Sequence, residues 1–398
     1  MKKWTVLVMF LVFSMIFATD SFAQKAKETI KIGLMGPMSG AGAAWGIGFQ
    51  RGVSLAIEDV NNAGGVKVGK KTYLLDFISA DDKYTGSVAL SEAGRLIFEQ
   101  KIKYLIGPLG STPVVAVSPL VNEHKVLAFV NSYTPKALGP QFPYNFRLCI
   151  TSHEIAPVVW KYVKEKYGVK TAVLLGQNDE TGKCETDHDI DVCNELGIKV
   201  LHRELFDLAT TDFMPLMTKV VAMKPDAVEI GSAATGYVAQ MAKALHELGY
   251  KGIKISNTIS GEAGVIVPII GKEACEGLVS LNLDWFSGDA TPWMKEFVER
   301  YVRRYGRPFS VAAAWVYWPV FWLKDAMEKT GSLDTDVLKK YLETPGKKFT
   351  NKYGEAQFGG KKYYGVNHQI KGNIAVSEIR DGKNVMVQKF QKTPLELE

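Results

Sequence analysis

The chain has 398 residues, room for two or three domains at roughly 100–200 residues each. Its 46% hydrophobic and 23% charged content suits buried cores and excludes extended disorder, and 37 Gly and 16 Pro with no short period exclude collagen-like sequence. The net charge of +6, from 48 basic and 42 acidic residues, is mild, and basic residues gather no further than pairs such as Lys70-Lys71 and Arg303-Arg304, so no nucleic-acid footprint is visible.

At the amino terminus Lys2 and Lys3 precede an apolar run from Trp4 to Ala18, and Ser21-Phe22-Ala23 offers small residues for cleavage. That is the pattern of a secretory leader over residues 1–23. The run is shorter than the ~20 residues a membrane helix needs. No cysteine stands at the cut, so a lipid anchor is not indicated, and no later segment has 18 consecutive apolar residues. An exported, soluble protein starting near Gln24 is expected. Export permits disulfides. Cys184 and Cys193, if on one helix, lie about 13 Å apart, beyond disulfide reach. The pairing of Cys149 and Cys275 stays open, with buried free thiols as the alternative.

From Ile30 the chain alternates strand, glycine-rich loop and helix. Ile30 to Met35 reads as a strand, followed by Gly36-Pro37-Met38-Ser39-Gly40. Trp45, Phe49, Val53, Ala56 and Val60 then form one apolar helix face, which Asn61, Asn62, Gly64 and Gly65 end. Tyr73 to Ile78, Lys103 to Ile106 and Val126 to Val130 are further strands, with helices through Phe98 and from Ser111. A second pass of the same layout starts at Thr171. Ala172 to Leu175, Ile198 to Leu201, Ala227 to Ile230 and Ile253 to Ser256 are its strands; the loop Gln177 to Gly182 leads into a helix, and Phe213 to Ala222 and Tyr237 to Leu248 read as helices. Leu278 to Leu283 adds a strand, Trp293 to Tyr305 and Ala312 to Thr330 add helices, and Asn373 to Arg380 and Val385 to Phe390 suggest antiparallel strands. This order predicts two similar doubly wound α/β lobes with parallel sheets, and a chain that crosses between them more than once. The expected division is 24–150 plus about 284–360 for the first lobe, and 151–283 plus about 361–398 for the second.

Catalytic patterns are missing: there is no G-x-S-x-G elbow, no P-loop and no H-E-x-x-H. His188 lies near Cys184, Cys193, Asp187 and Asp189, but without the paired ligand spacing of a zinc site. A solvated acidic helix face is the expectation there, with no metal and no cofactor. Gly40, Gly42 and Gly46 come close to a dinucleotide fingerprint but are spaced one residue too far. What remains is a set of small polar loops at the carboxyl ends of parallel strands, where open α/β sheets bind ligands and helix N-termini offer N–H groups to carboxylates. They are Ser111-Thr112, Tyr133-Thr134-Pro135, Thr181-Gly182 and Gly231-Ser232.

The stretches Ile32 to Gly40, Trp45-Gly46, Gly52 through Gly65, Asp81-Asp82, Ile106-Gly107-Pro108, Gly110-Ser111-Thr112 and Glu276-Gly277, in that order and spacing, resemble the periplasmic binding proteins for leucine, isoleucine and valine that serve ABC importers. The resemblance runs from about Ile30 to the C-terminus. It implies a type I periplasmic binding fold, two lobes joined by a three-segment hinge and closing over a ligand. It further implies that Ser111 and Thr134 hold the ligand's carboxylate, that the backbone at Ser132 orients its amino group, and that Trp45 forms an apolar wall. In the second lobe the family's loop tyrosine is Thr181, a second aromatic is Ala233-Ala234, and the ammonium-binding acidic residue aligns near Ile259, or with Glu262 if a gap is allowed. These departures widen the expected ligand from branched-chain amino acids to larger or aromatic carboxylates, including ones without an amino group. The expectation is a monomeric, periplasmic, non-catalytic solute-binding protein whose partners are a small carboxylate and a membrane permease. A sensory binding protein and an exported enzyme are the rivals.

Overall fold

The computed structural model describes residues 28–389 apart from 259–262, 282–284, 286–289, 307–308, 352–353 and 372–374. The leader read over 1–23 and Glu262 therefore lie outside the described residues. In chain order the first lobe opens with β1 (Glu28–Gly36), α1 (Ala43–Asn62), β2 (Val66–Val68), β3 (Lys71–Asp81), α2 (Gly86–Gly94), β4 (Tyr104–Leu109), α3 (Ser111–Glu123), β5 (Leu127–Asn131) and β6 (Asn145–Arg147). β1 pairs in parallel with both β3 and β4, and β5 and β6 continue the parallel order. Helices cover both faces, which is why β1, β4 and β5 read as unbroken apolar runs. Ile32, Leu34, Leu105, Ile106, Leu127 and Phe129 are all buried.

The second lobe follows with α4 (Ser152–Tyr167), β7 (Thr171–Gln177), α5 (Glu180–Glu195), β8 (Lys199–Phe206), α6 (Met214–Ala222), β9 (Ala227–Ser232), α7 (Thr235–Glu247), β10 (Ile253–Ile255), α8 (Ala263–Ile270), α9 (Lys272–Cys275) and β11 (Val279–Ser280). The chain then returns through α10 (Pro292–Tyr305), α11 (Ala312–Thr330) and α12 (Thr335–Leu342) to β12 (Phe349–Asn351), β13 (Gly354–Gly359), α13 (Lys361–Tyr364) and β14 (Gln369–Lys371), and ends on β15 (Ala375–Arg380) and β16 (Lys383–Lys389). The result is a nine-stranded sheet in the order β12-β13-β14-β6-β5-β4-β1-β3-β2 and a seven-stranded sheet in the order β16-β15-β11-β10-β9-β7-β8.

The chain passes between sheets after β6, after β11 and after β14. The last passage corrects the boundary expected near 360. Gln369 of β14 pairs with Arg147 of β6 and the Arg147 N–H bonds the His368 carbonyl, so residues 361–371 sit with the first sheet. All four cysteines are free thiols, Cys193 and Cys275 buried.

At one end of the seven-stranded sheet, β15 is tied to α4 through Glu378, which is 3% exposed. It accepts hydrogen bonds from Tyr162 Oη at 2.6 Å, Lys166 Nζ at 2.8 Å and Arg380 at 2.7 Å, and from Tyr167 Oη. Burial pushes the carboxyl up, but these donors outweigh it and hold it down at about 2. An unfolded glutamate titrates near 4.5, so the unfolded chain binds the proton first on acidification. The stabilisation is complete above about pH 5 and is lost as pH falls toward 2, a contribution on the order of 3 kcal/mol. Glu378→Gln should cost about 2–3 kcal/mol at neutral pH and flatten the fall of stability through that acid window. Urea unfolding of both proteins at pH 7, 4 and 3 measures it, and parallel pH curves would contradict the assignment.

Candidate functional site

The carboxyl ends of the parallel strands of both sheets face each other across a cleft. On the first lobe β4 ends at Leu109-Gly110, where Gly110 adopts φ 106° and a side chain would meet the Tyr84 ring at 2.5 Å. The Gly110 N–H bonds the Asn131 carbonyl at 2.8 Å, which locks the loops after β4 and β5 together. Ser111, the first residue of α3, is fully buried and its Oγ accepts the Thr134 N–H at 3.2 Å and the Ser132 hydroxyl at 3.3 Å. Trp45 lies in the first turn of α1, its ring 6.1 Å from that of Tyr84.

On the second lobe Asp179 caps α5, its Oδ1 accepting the Gly182 N–H at 3.0 Å. The helix therefore begins inside the stretch expected as loop, with Thr181 already in its first turn. Glu185 follows four residues later on the same face. The lobes are joined across the cleft at this helix start. Thr181 Oγ1 accepts the Ser111 N–H at 3.1 Å and hydrogen-bonds with Tyr84 Oη at 3.0 Å. Thr112 Oγ1 donates to Asp179 at 3.0 Å and accepts the Glu180 N–H at 3.1 Å. Thr134 Oγ1 and Lys136 Nζ donate to Glu180 at 2.8 and 2.9 Å.

Behind these bonds lies a narrow cavity lined from both lobes. The first lobe supplies Trp45, Tyr84, Leu109, Gly110, Asn131 and Tyr133, with Trp315 from α11. The second supplies Thr181, Glu185, Gly231, Ala233 and Thr258. No lysine, arginine or histidine is among them. Along this wall, among the described residues, the buried side-chain atoms lacking a hydrogen-bond partner are Asn131 Nδ2 and both oxygens of Glu185.

Glu185 belongs to a buried acidic group. Asp189 accepts hydrogen bonds from Trp160 Nε1 at 2.7 Å and Asn257 Nδ2, leaving Oδ2 without a partner. Glu229 accepts the Gly231 N–H and the Ser232 hydroxyl, the latter at 3.0 Å. Burial pushes Glu185 well above the usual carboxylate range, and Glu229, Asp189 and Asp179 push it further. Burial, with Glu229, also raises Asp189 well above its ordinary value. Glu229 is raised by burial to about 7 although the N–H groups of Gly231 and Asn257 oppose the shift. This corrects the solvated acidic face expected around His188. Asp187 is half-exposed and pairs with Arg203 at 2.9 Å, whereas Glu185 and Asp189 are 2% and 1% exposed. Among the described residues no group of three His, Cys, Asp or Glu side chains could hold a metal.

Of the residues singled out from sequence, Trp45, Thr181 and Ala233 line the cavity. Ser111, Ser132 and Thr134 stand behind its wall, engaged in the hydrogen bonds just described, while their neighbours Gly110, Asn131 and Tyr133 face it. Sequence reasoning passed over Tyr84, Asn131, Glu185 and Trp315. For Glu185 a signal existed, its four-residue spacing from Thr181 on one helix.

Two α/β lobes linked by repeated chain crossings, closing on a cavity that both line, define a two-lobed binding protein of the hinge type. The chain belongs to the periplasmic binding protein family, whose model matches residues 29–384. The Leu/Ile/Val-binding protein homolog 3 of Brucella melitensis is 28% identical over 327 residues, covering 80% of this chain and 83% of the relative. The leucine-, isoleucine-, valine-, threonine- and alanine-binding protein of Pseudomonas aeruginosa is 25% identical over 354 residues, covering 87% and 91%. Among solved structures, a leucine-binding protein of Thermotoga maritima matches with a TM-score of 0.78 at 21% identity, covering 92% of this chain and 99% of that one. A solute-binding protein of an ABC transporter from Rhodopseudomonas palustris, in complex with 3,4-dihydroxybenzoic acid, matches with a TM-score of 0.77 at 22% identity, covering 92% and 98%. Both likenesses establish the fold. Among the described residues no helix is long and apolar enough to cross a membrane.

Proposed function

We propose that this chain is an exported, periplasmic solute-binding protein that captures a small carboxylate between its lobes and hands it to an ABC importer, without chemistry of its own. The observation that carries the reading is the cavity lined from both lobes and bridged by hydrogen bonds that Thr181 and Glu180 accept from the first lobe. Such bonds form only when the lobes approach, so ligand capture and closure are one event, and the closed shape is what a permease can recognise. The Asn131 amide, whose Nδ2 has no partner within the protein, meets the carboxylate, and among the described residues none that lines the cavity is basic. Trp45, Tyr133 and Trp315 enclose the apolar part. Relatives named for branched-chain amino acids and a structural neighbour in complex with a dihydroxybenzoate bracket the ligand class.

The test is a thermal-shift screen of protein stripped of ligand in denaturant and refolded, with leucine, phenylalanine, benzoate, aliphatic amides and NAD. A ligand at a thousand times its dissociation constant adds about 4 kcal/mol, a shift of a few degrees for a chain this long. Stabilisation by a carboxylate supports the reading. Stabilisation by NAD alone, or turnover of the bound compound, sinks it.

A further inference from the structure

We infer that Asp82 is a positioning residue for ligand binding: it fastens a left-handed turn that holds Tyr84 in place as cavity wall and as latch between the lobes. This role presupposes the solute-binding reading and deepens it. Lys83 and Tyr84 have φ of 52° and 60°, and among the described residues they are the only adjacent pair in the left-handed region, glycines aside. Two successive side chains there, one of them an aromatic ring, are sterically disfavoured. Such a conformation persists only where its surroundings over-determine it. Two aspartates do so here. Asp81 Oδ1 accepts the Lys83 N–H at 3.0 Å, and Asp82 Oδ1 accepts the Tyr84 N–H at 2.8 Å. Both aspartates are themselves anchored at the end of β1, since the Asp82 N–H bonds the Gly36 carbonyl at 3.2 Å and Asp81 takes the Met38 N–H at 2.8 Å. Asp82 is fully buried, and burial pushes its carboxyl up to about 7 against the pull of the Tyr84 N–H. A buried carboxyl is a costly way to fix a loop. This one fixes the loop whose ring enters the cleft.

The Tyr84 ring lines the cavity and stands 6.1 Å from the Trp45 ring. It covers Gly110, where φ is 106° and a Cβ would fall 2.5 Å from the ring, so the loop after β4 is shaped to admit it. Its hydroxyl reaches Thr181 of the second lobe at 3.0 Å. On a relaxed turn the ring would sample other directions, and wall and latch would have to be ordered when the ligand binds, at an entropic cost to affinity. The turn held by Asp82 removes that cost in advance. Asp82 is not among the residues that line the cavity, so its effect on the ligand passes through Tyr84.

The experiment is a double-mutant cycle between positions 82 and 84. It is read by titration calorimetry on ligand-stripped protein, with L-leucine, L-phenylalanine and 4-hydroxybenzoate as probes, alongside thermal unfolding. Asp82→Ala is expected to weaken the probe that wild type binds by about 30-fold or more. Asp82→Asn, whose amide oxygen still accepts the Tyr84 N–H, is expected to stay within fivefold of wild type. Tyr84→Gly removes ring and hydroxyl and leaves the residue type most at ease with a left-handed φ. In that background Asp82→Ala is expected to change affinity less than threefold. A merely structural Asp82 would lower affinity by a similar factor in both backgrounds, and that result overturns the inference. So does a folded Asp82→Ala that binds within threefold of wild type, or an Asp82→Asn no better than Asp82→Ala. Should Asp82→Ala fail to fold, its recovery by Tyr84→Gly supports the inference, and failure in both backgrounds overturns it. In these cases the solute-binding reading stands. Binding of none of the three probes by wild type would bring down both.

Discussion

Thr181→Val should leave each lobe folded and yet weaken ligand binding on the order of 100-fold. Valine fills the same space, so packing at the start of α5 is kept. What disappears is one oxygen that takes the Ser111 N–H at 3.1 Å and meets Tyr84 Oη at 3.0 Å. Both partners are buried when the lobes are together, and leaving a buried N–H or O–H unpaired costs about 1–3 kcal/mol each. When the lobes part, water satisfies both groups. The penalty therefore falls on the closed form alone, and because ligand affinity includes the free energy of closing, a loss of roughly 3 kcal/mol appears as about two decades in Kd. Calorimetry gives the affinity, and small-angle scattering gives the compaction on adding ligand. Unchanged affinity with unchanged compaction would mean that Thr181 plays no part in closure. Thr112→Val removes a comparable pair of bonds, to Asp179 and Glu180, at a position outside the cavity lining. Its effect on affinity should thus come through closure in the same way, without altering which ligands are preferred.

The architecture was readable from the sequence because the parallel strands are buried on both faces. Runs such as Ile30 to Met35 and Val126 to Val130 admit few other placements, and the loops after them fall at the cleft by topology. Thr181 and Ala233 could be placed from the glycines beside them. The acidic heart of the site could not. Helix α5 carries the polar run from Glu180 to Asp191, which by composition reads as a face turned to water. Its position against β7 and β9 instead buries every fourth residue, so Glu185 and Asp189 go inward while Asp187 and Asp191 stay out. Charge count cannot distinguish these faces; only the spacing from Thr181 hints at it. Tyr84 and Trp315 were missed for another reason. Tyr84 follows the polar pair Asp81-Asp82 with no pattern of its own, and Trp315 stands in an aromatic-rich helix whose rings read as core. The late crossing after β14 was hidden because Gln369–Lys371 is a three-residue strand whose place is set by pairing with β6, not by its own pattern.

Packing of helix on helix yields the other large effect. Gly52→Ala should destabilise the first lobe by about 3 kcal/mol, at the top of the usual cost of overpacking, and should lower ligand affinity as well. Gly52 lies in α1 where it crosses α11, and a Cβ there would fall 2.1 Å from the Ala313 carbonyl oxygen and 2.7 Å from its Cα. The obstacle is backbone, so no rotamer change relieves it and the helices must move apart. Both carry a wall of the cavity: Trp45 is on α1 and Trp315 on α11, and Phe49 holds Trp315 edge-on with ring centres 6.3 Å apart. Separation of the helices therefore shifts the two tryptophans relative to each other and loosens the enclosure of the ligand's apolar part. Thermal unfolding should show the midpoint falling by several degrees. Titration of the folded fraction should show weaker binding with the preference among ligands blurred, because the wall that selects the side chain is displaced while Glu185 and Asn131 are untouched. A variant as stable as the parent would mean that α1 and α11 pack with more slack than the Gly52 contact implies. A destabilised variant with unaltered binding would show that the tryptophan wall is positioned independently of that crossing.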